Sequence, residues 1–545
     1  MSWRWTVGRT LAIIVAVAVL MLPACISTGS TTATSTPAPW EPKAGVPFQE
    51  PDEVASKNGV LDVTLTASTK TIDVSGSLLG ARPLTAQVGA QTLPTKLNGP
   101  TLRVKPGDTI KVTFVNQLGG GEPTNIHYHG LHVDPKGIGD NIFRTFDDGK
   151  TYQSEVTVPV NHRLGTYWYH VHYHGISNEQ VMGGLSGLLI IEGIEQLLPP
   201  DLRDVPQRQL ALRDVQTDPA TGNSTITKEP NPNQPSIRLV NGLYQPTFSM
   251  TSGQAELWRL ANIGSNVFYL IQFEGHDLHV IAQSGVPVWR VAGMQELLLP
   301  PGQRFDVLVT AGSPGTYRLL SLPYAQHADG NLNPRPVPTS AETLATVTVT
   351  PADPGVAPAA ALPPDFGLVP EENENLLTPA VLDALSDAPV ITRGPFVFSY
   401  STSGPFRALI NGVAFEPGMM PPVSPVRGTI EEWILENATT DDHPFHIHVN
   451  DFQVLEVNGQ PVEAGGLQDV VNIPKRYRNA NGEVVNGTVK IRSEFTDFTG
   501  WFVYHCHILQ HEDFGMMATI QVRENETDPI SPPPEVHGSM PGHGS

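Results

Sequence analysis

Eighteen histidines are spread over 545 residues, and ten of them fall in four tight clusters. These are His127 with His129, His170 with His172, His443 with His446 and His448, and His505 with His507 and His511. Successive side chains of a strand point to opposite faces, so a His-x-His pair puts two imidazoles on one face. The pairs 127/129, 170/172, 446/448 and 505/507 could supply eight nitrogens to one site. Imidazole is the commonest metal-ligating side chain. A lone pair of this kind reads as two surface histidines; four pairs, split between the two ends of the chain, read as a metal centre.

Cys506 sits between His505 and His507 and points to the other face of their strand. A metal held by its thiolate lies opposite the eight-histidine site, joined to it by a few backbone bonds. Two histidines, a cysteine thiolate and a weak axial thioether make a blue-copper electron-transfer centre. His443, Cys506, His511 and Met516 are those parts. The plain alternative for a free cysteine is a small buried apolar residue, which fits poorly with histidines on both sides.

Strands must carry these pairs, and the chain compares with itself in a way that provides them. An apolar-Asn-Gly turn recurs at Leu97-Asn98-Gly99, Val240-Asn241-Gly242 and Ile410-Asn411-Gly412. Each is followed by a strand-like alternation, at 109–115, 255–260 and 429–435. Each repeat closes on a matched stretch, at 165–172, 315–322 and 500–507. Self-similarity of this kind marks repeated units, and short β-branched and aromatic runs between Gly/Pro turns predict β-sandwiches. The expectation is an all-β chain of three related domains at 56–195, 196–350 and 395–524, with a linker at 351–394 and a disordered tail at 525–545. At the closing strand the middle repeat has Leu320 and Leu322 in place of histidines, which makes it a spacer without metal.

Composition agrees with large folded domains. Gly (50) and Pro (51) make up about a fifth of the chain, below the ~25–30% at which low complexity takes over. Charged residues, at 16%, are too few for a coiled coil or a charged disordered chain. A net charge of −21 argues against a nucleic-acid partner, which needs a positive patch.

Residues 1–24 read as a signal peptide. Arg4 and Arg9 accompany an apolar run at 11–22 that is too short to span a bilayer comfortably. The segment ends Leu22-Pro23-Ala24-Cys25, which resembles the lipobox of bacterial lipoproteins and makes Cys25 the candidate lipid site. Ordinary cleavage downstream and an uncleaved anchor are the alternatives. Residues 25–55, rich in Ser, Thr, Ala and Pro at their start, read as a flexible tether. The chain is expected outside the cytoplasm, lipid-anchored at the bacterial cell envelope or free in the periplasm or medium. With Cys25 lipidated, Cys506 is the one cysteine left and no disulfide within the chain can form.

The motifs His-Tyr-His-Gly at 127–130, Trp-Tyr-His-Val-His at 168–172, His-Pro-Phe-His-Ile-His at 443–448 and His-Cys-His-Ile-Leu-Gln-His-Glu-Asp-Phe-Gly-Met-Met at 505–517 resemble the four copper motifs of the multicopper oxidases. The likeness is to the three-domain bacterial laccase type, and also to copper-efflux cuprous oxidases and spore-coat laccases. It covers about residues 56–524. It implies three cupredoxin-like Greek-key β-sandwich domains and four copper ions. By the family pattern, His127 and His446 hold type 2 copper. His129, His170, His172, His448, His505 and His507 hold the type 3 pair. His443, Cys506, His511 and Met516 hold type 1. Met517 is the adjacent alternative thioether, and the family spacing after His511 selects Met516. The pattern also implies two proton-relay carboxylates: Asp140, with Asp134 as the alternative, and Glu512, whose plain reading is a salt-bridged strand end. His132 and His174 fall outside the pattern.

The activity so implied is one-electron oxidation of phenols or aromatic amines at type 1 copper, coupled to four-electron reduction of O2 to water at a trinuclear cluster, by a monomeric enzyme. The alternative is a cuprous oxidase of copper tolerance, with Cu(I) as donor. Such enzymes carry a methionine-rich segment, whereas the ten methionines here are scattered. A non-catalytic copper-binding envelope protein is a third reading, disfavoured by the full ligand set.

Overall fold

In the strand Thr109–Gln117, Ile110, Val112 and Phe114 are buried while the residues between them are half-exposed. That alternation is what a sheet with one wet face requires. The strand Gly165–His170 is instead buried at every position, because both of its faces are covered. The computed structural model describes residues 40–231, 234–288, 290–352, 365–368, 389–462 and 466–534. Among these residues strands dominate, and two short α-helices occur, Ser177–Gly183 and Leu509–Asp513.

The sheets fall into three cupredoxin-like sandwiches. In the first, a sheet in the order Glu53–Ala55, Thr101–Val104, Ser186–Ile191, Gly165–His170, His127–His129 faces a second built around Thr109–Gln117 and Val60–Ser68. The middle sandwich packs a sheet containing Ala255–Asn262 and Arg304–Thr310 against one containing Gly315–Leu322. In the third, a six-stranded sheet around Thr429–Asn437 and Gly487–Phe495 faces a four-stranded one, in the order Val470–Ile473, His443–Ile447, Gly500–Cys506, Met517–Val522. The repeats match in detail. Trp258 donates to Glu256 at 2.8 Å in the middle domain, and Trp433 donates to Glu431 at 2.8 Å in the third.

Strand register gathers the histidines. His127 pairs with His170 across one antiparallel ladder, and His446 pairs with His505 across another. Each outer domain therefore presents two His-x-His strands side by side.

Three boundaries differ from expectation. Residues 40–55 of the expected tether are folded onto the protein: Trp40 is buried, Phe48 stacks near Phe248 at 5.2 Å, and Glu53–Ala55 is a sheet strand. Their apolar side chains outweigh the flexible composition that precedes them. The start of the expected tail packs back too, with the Ser531 carbonyl accepting from Trp501 Nε1 at 2.9 Å. Within the expected linker, Asp365–Gly367 pairs with Arg290–Met294, and the strand Val390–Tyr400 begins before residue 395. The signal segment, Cys25 and residues 535–545 lie outside the described residues. No helix among the described residues is long and apolar enough to cross a membrane.

Candidate metal centre

The four His-x-His pairs meet between the first and third domains. His127 stacks on His448 with centroids 3.8 Å apart, and His129 stacks on His446 at 3.8 Å. His172 Nε2 and His505 Nε2 approach to 3.2 Å, as do His129 Nδ1 and His507 Nε2. Ligand atoms of His172, His448 and His505 lie within 4.8 Å of one another, as do those of His127, His129 and His170, and of His127, His446 and His448. All eight rings are buried.

Their protonation follows from what surrounds them. His170 Nδ1 donates to the Val171 carbonyl at 2.8 Å, His446 Nδ1 to the Asp469 carbonyl at 2.8 Å, and His505 Nδ1 to the Cys506 carbonyl at 3.0 Å. His127 Nδ1 faces both oxygens of Asp140 at 3.0 Å. With Nδ1 carrying the proton, Nε2 offers a lone pair, which is how ligating histidines are oriented. Burial holds the rings neutral, pushing His170 down to about 3 and His505 to about 4, with the others well below the usual range. The Nε2 atoms of His127, His170 and His446 and both nitrogens of His448 are buried without a hydrogen-bond partner. Buried polar atoms left unpaired are costly. A cluster of neutral imidazole lone pairs aimed at shared points fits metal ions.

Cys506 faces away from this cluster, as alternation requires. Its Sγ lies 3.3 Å from His443 Nδ1 and 3.7 Å from His511 Nδ1, and the two nitrogens are 3.3 Å apart. The centre of such a triangle is about 2 Å from each corner, in the range of metal–nitrogen and metal–sulfur bonds. The His443 ring is fixed by Thr439 Oγ1, 2.8 Å from its Nε2. Burial pushes the Cys506 thiol up, so its thiolate needs a cation beside it. The two methionines separate cleanly. Met516 is fully buried in the core that contains Cys506, Phe398 and Phe445. Met517 pairs with His505 and packs in a different cluster, with Ile142 and Val503.

The carboxylates also sort themselves. Asp140 is buried against His127 and accepts from the Tyr128 N–H at 3.0 Å, whereas Asp134 is exposed in the loop. Burial raises the Asp140 carboxyl to about 8. Glu512 is buried 3.7 Å from His172 Nδ1 and 3.3 Å from Ser177 Oγ. Its neighbour Asp513 accepts from the Gly175, Ser177 and Asn178 N–H groups at 2.8, 3.0 and 2.8 Å, locking the two short helices together. His132 contacts the Val449 carbonyl and Asp497, and His174 packs edge-on to Phe415. Neither joins the cluster.

His511 is the one member of the Cys506 triangle at a surface. It borders a cleft of about 750 Å³ together with Tyr400, Asp441, His327 and Phe406. Tyr400 donates to Asp441 Oδ2 at 2.5 Å and stands 3.4 Å from His511 Nε2; His327 Nδ1 meets Asp441 Oδ1 at 2.9 Å. Sequence reasoning missed this cleft. Gln510, His511 and Phe514 lie in the motif at 505–517 and Asp441 two places before His443, but the other residues lining it come from distant segments outside any motif.

Family models described as multicopper oxidase match residues 83–196, 208–340 and 392–526, well over half of the chain. A multicopper oxidase of Staphylococcus aureus is 27% identical, over 78% of this chain and 82% of its own length. A laccase of Haloferax volcanii is 27% identical, over 79% and 77%. Among solved structures, a multicopper oxidase variant from Aquifex aeolicus superposes with a TM-score of 0.71 at 24% identity, covering 88% of this chain and 100% of that one. The likeness to that structure is one of fold.

Proposed function

The chain belongs to the multicopper oxidase family, copper oxidoreductases with O2 as acceptor, and we propose that it works as a laccase, oxidising phenols or aromatic amines and reducing O2 to water. One observation carries the reading. Neutral, unpaired imidazole nitrogens converge on one side of the strand Gly500–Cys506, and a His–Cys–His triangle opening on a cleft lies on the other.

In this reading His443, Cys506, His511 and Met516 hold type 1 copper, His127 and His446 hold type 2, and His129, His170, His172, His448, His505 and His507 hold the type 3 pair, four ions in all. Bound copper supplies one-electron acceptance at the first site and four-electron reduction of O2 at the second. The chain's part is to bind, orient and supply protons. Burial of all eight cluster imidazoles excludes bulk water. Asp140 orients His127, and Asp140 and Glu512 hold protons beside the cluster, where burial favours their neutral forms. The cleft at His511 receives the donor. Phe406 and Tyr400 offer aromatic faces, and Asp441 is an acceptor for a donor hydroxyl.

None of the described residues lining that cleft is a methionine, which favours an organic donor over Cu(I). Cu(I) stays as the alternative donor, and the solved multicopper oxidase of Campylobacter jejuni is itself described as a metallo-oxidase. The leader-like segment at 1–24 supports a place outside the cytoplasm, with Cys25 as the membrane attachment. The deciding experiment is O2 uptake by the copper-loaded protein with 2,6-dimethoxyphenol and, separately, with Cu(I), using Cys506→Ser as the blank. Fast uptake with the phenol and little above blank with Cu(I) supports the laccase; the reverse preference makes it a cuprous oxidase.

A further inference from the structure

The middle domain supplies none of the ligands proposed above, yet one of its arginines reaches the histidine cluster. Arg304, fully buried at the start of the strand Arg304–Thr310, sends its guanidinium into the third domain. There Nη1 and Nη2 donate to Oδ1 and Oδ2 of Asp469 at 2.7 and 2.9 Å. Its Nε donates to the Thr166 carbonyl of the first domain at 3.2 Å, and Nη1 also to the Gly302 carbonyl at 3.0 Å. One side chain thereby bonds to all three domains.

Asp469 in turn faces two histidines from different domains. Its backbone carbonyl accepts from His446 Nδ1 at 2.8 Å. Its Oδ2 stands 3.6 Å from His129 Nε2. That is too long for a hydrogen bond, but a carboxylate at this distance favours a proton on the nitrogen it faces. The lone pair of His129 is then on Nδ1, the atom 3.2 Å from His507 Nε2. The four rings whose Nδ1 meets an oxygen turn Nε2 inward; His129 is turned the other way, and Asp469 is what it turns toward.

Two glycines make the approach possible. At Gly130, with φ +84°, a Cβ would lie 2.3 Å from Asp469 Oδ2 and 2.5 Å from Arg304 Nη2. At Gly302, with φ +86°, a Cβ would lie 3.0 Å from His129 Cε1 and from His507 Cδ2. Ligand atoms of Asp469, His129 and His446 are close enough to hold an ion themselves. Both carboxylate oxygens are committed to the guanidinium, however, whose positive charge opposes a cation there. The pair therefore acts on the rings and not as a ligand.

We propose that Asp469, held by Arg304, is a positioning residue of the histidine cluster: it fixes His129 with Nδ1 toward the metal, so that the middle domain sets the geometry of a site formed by the other two. The proposal rests on the cluster being a copper site. Carboxylates that orient ligating histidines are worth about 10–100-fold in metal affinity.

The test is copper retention per chain against a graded copper chelator, with the electron paramagnetic resonance spectrum of the bound copper. The visible absorbance of the Cys506 site serves as an internal reference. Asp469→Asn keeps the shape and removes the charge; Arg304→Lys keeps a charge and loses the two-pronged grip. The expected result is loss of cluster copper from Asp469→Asn at ~10–100-fold lower chelator, with the Cys506 absorbance kept. Arg304→Lys shifts the same way by less, and decides the matter if Asp469→Asn does not fold. Wild-type retention and spectrum in the variants, with only a lower melting temperature, would make the pair a brace between domains and overturn the proposal. A wild-type protein that takes no copper at the histidines would instead overturn the copper reading on which it rests.

Discussion

His505 and Cys506 are neighbours in one strand and belong to different sites. His505 Nε2 points at His172 Nε2, 3.2 Å away in the first domain, while Cys506 Sγ points at His443 Nδ1, 3.3 Å away on the opposite face. Strand alternation alone produces this split. It leaves the two proposed copper sites one residue apart along the backbone, with the cleft beyond His511 on the side of the sulfur.

Replacing that sulfur separates the sites. Cys506→Ser is expected to abolish the visible colour and donor oxidation while the histidine cluster keeps its copper. Copper analysis should find about one ion fewer per chain than in the wild type, since a hydroxyl is a poor substitute for thiolate at such a site.

The placement of the two methionines predicts unequal effects. Met516→Leu, in the core beside Cys506, should raise the reduction potential of the Cys506 site, because the axial ligand tunes it. Met517→Leu, on the other face, should leave the potential unchanged. Each swap conserves volume and should cost less than about 1.5 kcal/mol, so redox titration of folded protein gives the comparison.

Asp140→Asn should lower turnover by about 10–100-fold, since it weakens the hold on His127 and removes a proton carrier. Anaerobic bleaching of the Cys506 absorbance by donor should persist in this variant, because Asp140 contacts His127 and is not among the residues lining the cleft. Loss of bleaching as well would contradict the assignment.

His162 predicts an acid limit to stability. Its Nδ1 donates to the Arg163 carbonyl at 2.9 Å, and its Nε2 accepts from the His132 N–H at 3.0 Å, so a second proton has no acceptor. Burial pushes it down to about 3. Between pH 6.5 and about 3 the unfolded chain binds this proton and the folded one does not. Stability from this group is complete above pH 6.5 and is lost as pH falls through the window, by about 1.4 kcal/mol per pH unit. Thermal melts of wild type and His162→Gln, which keeps an acceptor, should converge as pH falls from 7 to 4.

Much of the candidate site was legible because its signal is local. A His-x-His pair declares its face wherever the strand lies, and Cys506 declares the other face. Asp140, with Asp134 as its alternative, could be placed only through the resemblance to the multicopper oxidases, and the buried contact with His127 separates the two. What stayed hidden is whatever only the third dimension assembles. Arg304 and Asp469 are 165 residues apart, and each looks ordinary in its own strand or loop. The cleft draws His327, Tyr400 and Asp441 from separate segments in the same way. Trp40 to Ala55 was misread for a related reason: the tether-like composition lies before residue 40, while Trp40, Phe48 and Val54 each pack into a different core of the folded domains.

The most direct measurement is the ratio of donor electrons to O2 during turnover with 2,6-dimethoxyphenol, with hydrogen peroxide assayed in the same vessel. A trinuclear centre held by the eight histidines predicts four electrons per O2 and no accumulated peroxide. Two electrons per O2, with peroxide formed in equal amount, would contradict it and leave the Cys506 site acting without the cluster.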